Sequence, residues 1–418
     1  MTMLADILNS VFERRMSFSV SAKGDKRSVD RLTNDLVSAM GEVSGTATGK
    51  LLLDRFEAMD DAGKLKFFQS LLGPMGVDPN KVRDTLSAFE KSPGRRTYER
   101  FMDAVDPARK ELFRRLNAVP GSTGRLVQMR SDLLRLARDN PEIAELDHDL
   151  RHLFVSWFNR GFLVLRPVNW ESPAHILEKI IAYEAVHTID SWDDLRRRVQ
   201  PTDRRCFAFF HPAIPDEPLI FVEVALTKGV PGSVQKVLED DREALKAIDA
   251  NTAVFYSISN CQTGLAGISF GNSLIKQVAA DLALELPGLK TFITLSPIPG
   301  FVRWLNSENI SATKENTAGL AAHYLVNAKR EDGRPDDSVA RFHLGNGAQI
   351  HKVHESADVS EKGIRQSHGV MVNYLYDLKK IVENHEQYAT QKKIAVSQEI
   401  RSLSANTEKA LTKRGLND

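Results

Sequence analysis

The spacing of apolar residues along this chain changes near residue 160. Before that point it follows the period of amphipathic helices, as in the face formed by Ile143, Leu146, Leu150, Leu153, Phe154 and Trp157. After RPVNWESP, a helix pattern over about 174–183 precedes short runs typical of β-strands, at 205–211, 218–226, 252–259 and 289–296. The chain therefore predicts an α+β protein: an all-helical N-terminal domain over 1–160 and a mixed α/β domain over 161–418 with a helical C-terminal tail.

Two local patterns in the second domain carry predictions of their own. SVARFHL and AQIHKVH, joined by GNGA, are typical of two short strands with a tight turn between them. The tail from about Tyr374 is helical and charged in pattern, and its end, from about Leu403, is expected to be disordered because chain termini often are.

Composition limits the partners and the compartment. Lys and Arg total 56 against 55 acidic residues, so a net charge of +1 gives no reason to expect a nucleic-acid partner. Two cysteines, Cys206 and Cys261, are too few for a disulfide framework or a cysteine-based zinc site, which favours a reducing compartment, the cytoplasm. No apolar run is long enough to span a bilayer, and MTMLADILNSVFERR is amphipathic, unlike a signal or transit peptide.

The stretch LSPIPGF, residues 295–301, follows the apolar run LKTFITL. Pro297 cannot continue an interior strand ladder, and it restrains Ser296 to extended geometry. Ser296 therefore stands at the carboxyl end of a strand, where open α/β sheets usually keep their chemistry. The alternative is a strand-to-helix turn in which the serine caps the next helix.

Two further segments could bind ligand or move protons. QTGLAGISFGNSLIK, residues 262–276, places glycines between a strand and a helix start, an arrangement that can cradle phosphates; the alternative is a plain turn. His343, in FHLGNG, could exchange a proton near neutral pH, and the alternative is a surface histidine in a hairpin. No spacing of His, Asp or Glu predicts a metal site, because His148 and His152 share a helix face without a third ligand.

Taken together, these segments resemble the malonyl-CoA decarboxylase family. The resemblance covers most of residues 170–380 and rests on segments in a fixed order: EKIIAYEAVH, RRCFAFFH, EPLIFVEVALTKGVPGSVQ, FYSIS with GLAGISFGNSLIK, LSPIPGF, FHLGNGA and ADVSEKGIRQSHGVMVNYLY. It implies a helical N-terminal domain followed by a catalytic domain similar to the N-acetyltransferase fold.

The same resemblance implies the site residues. The family's catalytic serine and histidine fall on Ser296 and His343, and a lysine linked to activity falls on Lys179. The family's CoA-binding loop falls on Ala266, Gly267, Ile268, Ser269, Phe270, Gly271 and Asn272. Ser269 stands where animal members are expected to carry an acidic residue, so this chain departs from the family at that position. Tyr376 is a candidate supporting residue, with core packing as the alternative.

The activity implied is decarboxylation of malonyl-CoA to acetyl-CoA and CO₂ through an enolate, with no metal or organic cofactor. Two alternatives stay open at this point: a CoA-dependent acyltransferase on the same fold, and a non-catalytic malonyl-CoA-binding regulator. Since every recognised motif follows residue 170, the helical domain is expected to support assembly into a homo-oligomer, a dimer or tetramer, without membrane contact.

Overall fold

The structure, a computed structural model, describes residues 25–38, 41–239, 241–268 and 274–415. The amphipathic segment at the very N-terminus of the sequence lies outside these residues. The chain divides into two compact units. The first comprises residues up to Trp157 together with Thr263–Ile268, and the second comprises Phe158–Gln262 and the residues from Ser269 onward.

The first unit is helical throughout its described residues. Its α-helices are α1 (Val29–Val37), α2 (Glu42–Glu57), α3 (Asp61–Ser70), α4 (Pro79–Lys91), α5 (Arg95–Val105), α6 (Ala108–Asn117), α7 (Ser122–Leu136) and α8 (Glu145–Trp157). Helix starts follow the local chemistry, as at α4, where the Asp78 side chain accepts from the Asn80 N–H and Pro79 occupies the first turn. Phe68, Phe113 and Phe154 are fully buried in its core.

The second unit contains one mixed sheet. Its described strands are β1 (Val164–Val168), β2 (Arg204–Phe210), β3 (Ile220–Thr227), β4 (Thr252–Asn260), β5 (Thr291–Thr294), β6 (Ser296–Pro297), β7 (Gln349–His354) and β8 (Met371–Leu375). They run in the order β1-β2-β3-β4-β5-β8-β6, and β7 pairs with β8. Within the described strands only β4 and β5 pair in parallel.

Helices cover the sheet and connect its strands. They are α9 (Ala174–Tyr183), α10 (Trp192–Val199), α11 (Val234–Leu238), α12 (Leu274–Glu285), α13 (Phe301–Ser307), α14 (Thr317–Asn327), α15 (Ser338–Gly345), α16 (Glu361–Ser367), α17 (Ile381–Gln391) and α18 (Gln398–Gly415). Ile180 of α9 and Leu195 of α10 pack in one buried cluster with Phe221 of β3. The expected fold class is confirmed: an all-helical part is followed by a mixed α/β domain.

The segment SVARFHL is a helix, so its assignment to a strand of a hairpin was wrong. Asp337 accepts hydrogen bonds from the N–H groups of Val339 and Ala340, both at 2.9 Å, and this cap starts α15. Ala340 and Leu344, four apart, are buried on one face of the helix. A short apolar run is compatible with the spacing of either a strand or a helix. The capping aspartate favours the helix here.

The tail was expected to be disordered from about Leu403. This was wrong, because the chain is helical to residue 415. Helix α18 is anchored by Ile400, which is fully buried, and by Ser404, whose hydroxyl accepts from Asn327 Nδ2 at 3.0 Å. Its packing against α14 stabilises this end of the chain. In the part of the chain that the structure describes, no helix is long and apolar enough to cross a lipid bilayer.

Candidate active site

Ser296 begins the short strand β6 and is 5% exposed. Its Cα pairs with that of Val372 on β8, in keeping with the extended geometry that Pro297 imposes. Helix α13 starts after Gly300 without a side-chain cap. The Ser296 hydroxyl instead lies 2.8 Å from Thr294 Oγ1 and 3.1 Å from His343 Nε2, so the alternative of a capping serine was wrong.

His343 lies in the last turn of α15 and is 2% exposed. Its two ring nitrogens have different partners: Nε2 contacts Ser296 Oγ, and Nδ1 lies 2.8 Å from the Tyr376 hydroxyl. The imidazole also stacks on Tyr374, with ring centroids 4.4 Å apart and planes 23° apart. The alternative of a surface histidine is therefore wrong, and the ring is held at both nitrogens and on one face.

The protonation of these groups sets the direction of the hydrogen bonds. Burial lowers the pKa of His343 to about 3, so the imidazole is neutral and carries one N–H. Burial raises the pKa of Tyr376 well above its ordinary value, so its hydroxyl keeps its proton. We infer that Tyr376 donates to Nδ1, His343 Nε2–H donates to Ser296, and Ser296 donates to Thr294 Oγ1, because this order gives both ring nitrogens and the Ser296 hydroxyl complementary partners.

Thr294 and Asn373 support this chain of hydrogen bonds, and neither was a candidate from sequence. Thr294 Oγ1 also accepts from the Tyr374 N–H at 3.1 Å, and its carbonyl accepts from Asn373 Nδ2 at 2.7 Å. Both side chains are fully buried. One signal was present: Thr294 and Ser296 are two residues apart, so in an extended chain they project from the same face.

Beside Ser296 and His343 lies a cavity of about 260 Å³. It is lined by Val186, Phe255, Tyr256, Ile258, Asn260, Ser296, Pro297, Ser338, Val339, Phe342 and His343. These residues come from β4, β6, α15 and the segment after α9. The volume is slightly below the usual range for ligand pockets, so it suits a small acyl group and not a whole nucleotide.

The predicted CoA loop is described only in part. Ser269, Phe270, Gly271 and Asn272 lie outside the described residues. Ala266, Gly267 and Ile268 follow a 3₁₀ turn at Thr263–Leu265, and Gly267 has a φ of 75°, which favours glycine. This piece of the loop belongs to the helical unit.

Within that unit, α7 holds the start of the loop. Arg130, 1% exposed, donates from Nη1 to the Gly264 carbonyl at 2.7 Å and from Nε to Asp147 at 2.7 Å. Ser131 Oγ and Thr263 Oγ1 lie 2.6 Å apart. A Cβ at Gly264 would come within 1.8 Å of the Val127 carbonyl oxygen, so only glycine fits there.

Lys179 takes part in a different network from Ser296, His343 and Tyr376. Its Nζ donates to the Asp216 carbonyl and to Glu217 Oε1, both at 2.7 Å. Glu217 Oε2 accepts from Tyr183 at 3.1 Å and from Gln262 at 3.2 Å. Lys179 is thus linked, through Glu217, to Gln262, the first residue of the segment QTGLAGISFGNSLIK.

His148 and His152 lie exposed on α8, as expected of surface residues. The neighbouring Asp149 is buried and accepts from Arg109 Nε at 2.6 Å. Among the described residues, no group of three or more His, Cys, Asp or Glu side chains could hold a metal ion.

Two histidines with lowered pKa values, the half-buried His187 and the buried His343, are expected to lower the stability of the protein in acid. Burial lowers the pKa of His187 to about 4 and that of His343 to about 3. Below the unfolded value of about 6.5, the unfolded chain binds protons that the folded chain does not, so the free energy of unfolding falls as pH falls. Each histidine contributes a slope of about 1.4 kcal/mol per pH unit.

Urea denaturation of the wild type and His187→Gln between pH 7 and 5 measures this slope. The variant should lose less stability in acid, and the exposed control His148→Gln should behave as the wild type does. The comparison cancels other groups, including Glu223, whose pKa burial raises to about 8. Equal slopes in the wild type and His187→Gln would contradict the expectation.

Comparison with known proteins gives consistent results. The family model of the malonyl-CoA decarboxylase N-terminal domain matches residues 75–158. The model of the C-terminal domain matches residues 161–318 and 310–414. The mitochondrial malonyl-CoA decarboxylase of Anser anser anser is 36% identical over 352 residues, which cover 71% of this chain and 69% of that protein. The mitochondrial enzyme of Mus musculus is 35% identical over 363 residues, which cover 73% of each chain. The solved structure of malonyl-CoA decarboxylase from Rhodopseudomonas palustris is 46% identical, with a TM-score of 0.85, and the match covers 90% of this chain and 98% of that one. The structure from Agrobacterium vitis is 44% identical, with a TM-score of 0.84, and the match covers 90% of this chain and 99% of that one.

Proposed function

This chain belongs to the malonyl-CoA decarboxylase family, and we propose that the cavity beside Ser296 and His343 is where it converts malonyl-CoA to acetyl-CoA and CO₂. The observation that carries this assignment is the hydrogen-bonded chain Tyr376–His343–Ser296, of which His343 and Ser296 line that cavity. Its members come from distant parts of the sequence and lie in three segments that resemble the family, LSPIPGF, FHLGNGA and ADVSEKGIRQSHGVMVNYLY.

The substrate supplies its own electron sink. When the bond between Cα and the carboxylate breaks, its electron pair moves into the thioester carbonyl, CO₂ leaves, and an acetyl-CoA enolate remains. The protein must turn the carboxylate out of the thioester plane and stabilise the charge that develops on the enolate oxygen. A proton must then reach Cα.

We assign the proton transfer to His343. Before substrate binds it is neutral, because burial lowers its pKa to about 3. A malonyl carboxylate brings a negative charge next to the imidazole, which raises this pKa and favours uptake of a proton. The imidazolium then gives that proton to Cα of the enolate and returns to the neutral form, so one proton is consumed for each CO₂ released.

Ser296 orients the acyl group in this scheme. Its hydroxyl accepts from His343 Nε2 and can turn its own proton from Thr294 Oγ1 to a substrate oxygen. Tyr376 holds the imidazole at Nδ1, and its hydroxyl can donate to the neutral ring or accept from the imidazolium. Lys179 does not contact the Ser296–His343 pair in this scheme; it holds Glu217, which also accepts from Gln262.

Incubating the purified protein with malonyl-CoA alone tests the function. Formation of acetyl-CoA and CO₂ in equal amounts is expected. An acyltransferase would need an acceptor amine before CoA appeared, and a malonyl-CoA-binding regulator would leave the compound intact. Either of these outcomes would overturn the assignment.

The segment Ala266–Asn272 is the proposed CoA-binding loop. The variant Gly264→Ala tests whether CoA binding depends on the position of the backbone just before this loop. The added Cβ meets the Val127 carbonyl oxygen, so the backbone before the loop must shift. A displacement of about 1 Å can lower rates roughly 10²-fold, and we expect kcat/KM to fall by roughly 10-fold to 10²-fold, mainly through weaker CoA binding.

Steady-state kinetics and calorimetry with CoA measure this effect. Gly45→Ala is the matched control, because a Cβ added at Gly45 would meet no atom within 4 Å and alanine favours its helix. Unchanged CoA affinity in Gly264→Ala would remove the loop from the binding site.

Assembly and compartment are further proposals. We propose a homo-oligomer, a dimer or tetramer, assembled through the helical unit, because α4 and α5 leave Leu86, Tyr98 and Met102 between 38% and 51% exposed. Light scattering of the purified protein measures the state. Cys206 and Cys261 are buried free thiols, which suits a reducing compartment, and we propose the cytoplasm.

A further inference from the structure

We propose that Asp337 is a positioning residue that fixes the distance between Ser296 and His343 for the decarboxylation assigned above, an inference that rests on that proposed function. Asp337 is 2% exposed and touches both segments. One carboxylate oxygen, Oδ1, accepts from the first N–H groups of the helix that carries His343. The other, Oδ2, accepts from the Gly300 N–H at 3.2 Å, in the turn that follows Ser296.

The reacting pair needs such a link because its two members lie on separate elements. Ser296 stands on β6, and His343 stands in the last turn of α15. Their contact is 3.1 Å long, and a hydrogen bond weakens steeply when its length or angle changes. Asp337 lies six residues before His343 and bonds to a residue four after Ser296, so one side chain sets the separation of both.

The Gly300 backbone is confined on its other side as well. A Cβ there would lie 2.1 Å from the Tyr324 hydroxyl oxygen, which in turn donates to Asp336 Oδ2 at 3.1 Å. Gly300 is thus held between Tyr324 and Asp337, and the turn after Ser296 has little room to drift. Ser338 and Val339, which follow Asp337, line the cavity, so a shift of this turn would also move its wall.

Asp337 combines two roles that substitution can separate. Asp337→Ser keeps an oxygen that caps α15, but its side chain is too short to reach Gly300. Asp337→Asn keeps one capping oxygen and turns an amide N–H₂ toward the Gly300 N–H, which cannot accept it. Asp337→Ala loses both the cap and the bridge.

We expect Asp337→Ser and Asp337→Asn to lower kcat by roughly 10-fold to 10²-fold, as a misplacement of about 1 Å would. The KM for malonyl-CoA should stay close to the wild-type value, and the melting temperature should fall moderately, because the buried Gly300 N–H loses its acceptor. Asp337→Ala should lower kcat similarly and should lower the melting temperature further, because it also loses the cap of α15. Asp60→Ser is the matched control, because Asp60 caps α3 alone and should leave kcat unchanged.

A double-mutant cycle with Ser296→Ala distinguishes positioning from general destabilisation. If Asp337 acts through the Ser296–His343 pair, Asp337→Ser should cost little further kcat once Ser296 is absent. Wild-type kcat in both Asp337→Ser and Asp337→Asn, or a fully additive cycle, would overturn the positioning role. A wild-type protein that leaves malonyl-CoA intact would instead overturn the proposed function itself.

Discussion

Replacing His343 with alanine is expected to abolish most turnover, with a loss of roughly 10²–10⁴ in kcat, the usual contribution of a positioned acid–base group. His343 is the group to which we assign proton delivery to Cα, and its imidazole is held by Ser296, Tyr376 and the Tyr374 ring. The enolate would then depend on water for its proton. Steady-state assay of acetyl-CoA formation measures the loss.

His343→Gln refines this prediction, because a glutamine amide can still donate to Ser296 but cannot carry a proton to carbon. We expect turnover in this variant to be nearly as low as in His343→Ala, with better stability, since fewer buried groups lose their partners. Turnover near the wild-type rate in a folded His343→Gln would show that the histidine serves only as a hydrogen-bond donor.

Replacing Ser296 with alanine is expected to lower kcat by roughly 10²–10³, the usual cost of one positioned hydrogen-bond donor. Its hydroxyl is the group that we propose to orient the malonyl moiety, and Thr294 and His343 hold it from two sides. The fold should be retained, because alanine is compatible with the extended backbone and removes only one oxygen. Circular dichroism and thermal melting check this point.

Thr294 provides the control for that substitution. Thr294→Val keeps the shape of the side chain but removes an acceptor for Ser296 and Tyr374, so its kcat should fall less than that of Ser296→Ala.

The double variant Ser296→Ala/His343→Ala should be little slower than the worse single variant, because the effects of groups that act as a unit are not additive. Full additivity would mean that the two residues act in separate steps.

Part of the candidate active site could be predicted from the sequence, because a proline restricts the backbone of the residue next to it. The pair of prolines after Ser296 indicated an extended serine at a strand end, and the structure has it in β6. The segment around His343 shows the opposite case. Its short apolar run fitted a strand, and the cap by Asp337 made it a helix. This changes the surroundings of His343 from a hairpin tip to a buried helix end.

The sequence by itself determined the order of a helical part and a mixed α/β part, since apolar period is a property of neighbouring residues. Only the tertiary structure decided which side chains meet. Ser296 and His343 are 47 residues apart, and His343 and Tyr376 are 33 apart. Such contacts depend on how β6 pairs with β8 and on how α15 packs, and so do the hydrogen bonds that Thr294, Asn373 and Asp337 make. The burial that leaves His343 neutral also arises only when the whole domain excludes water, which no local pattern encodes.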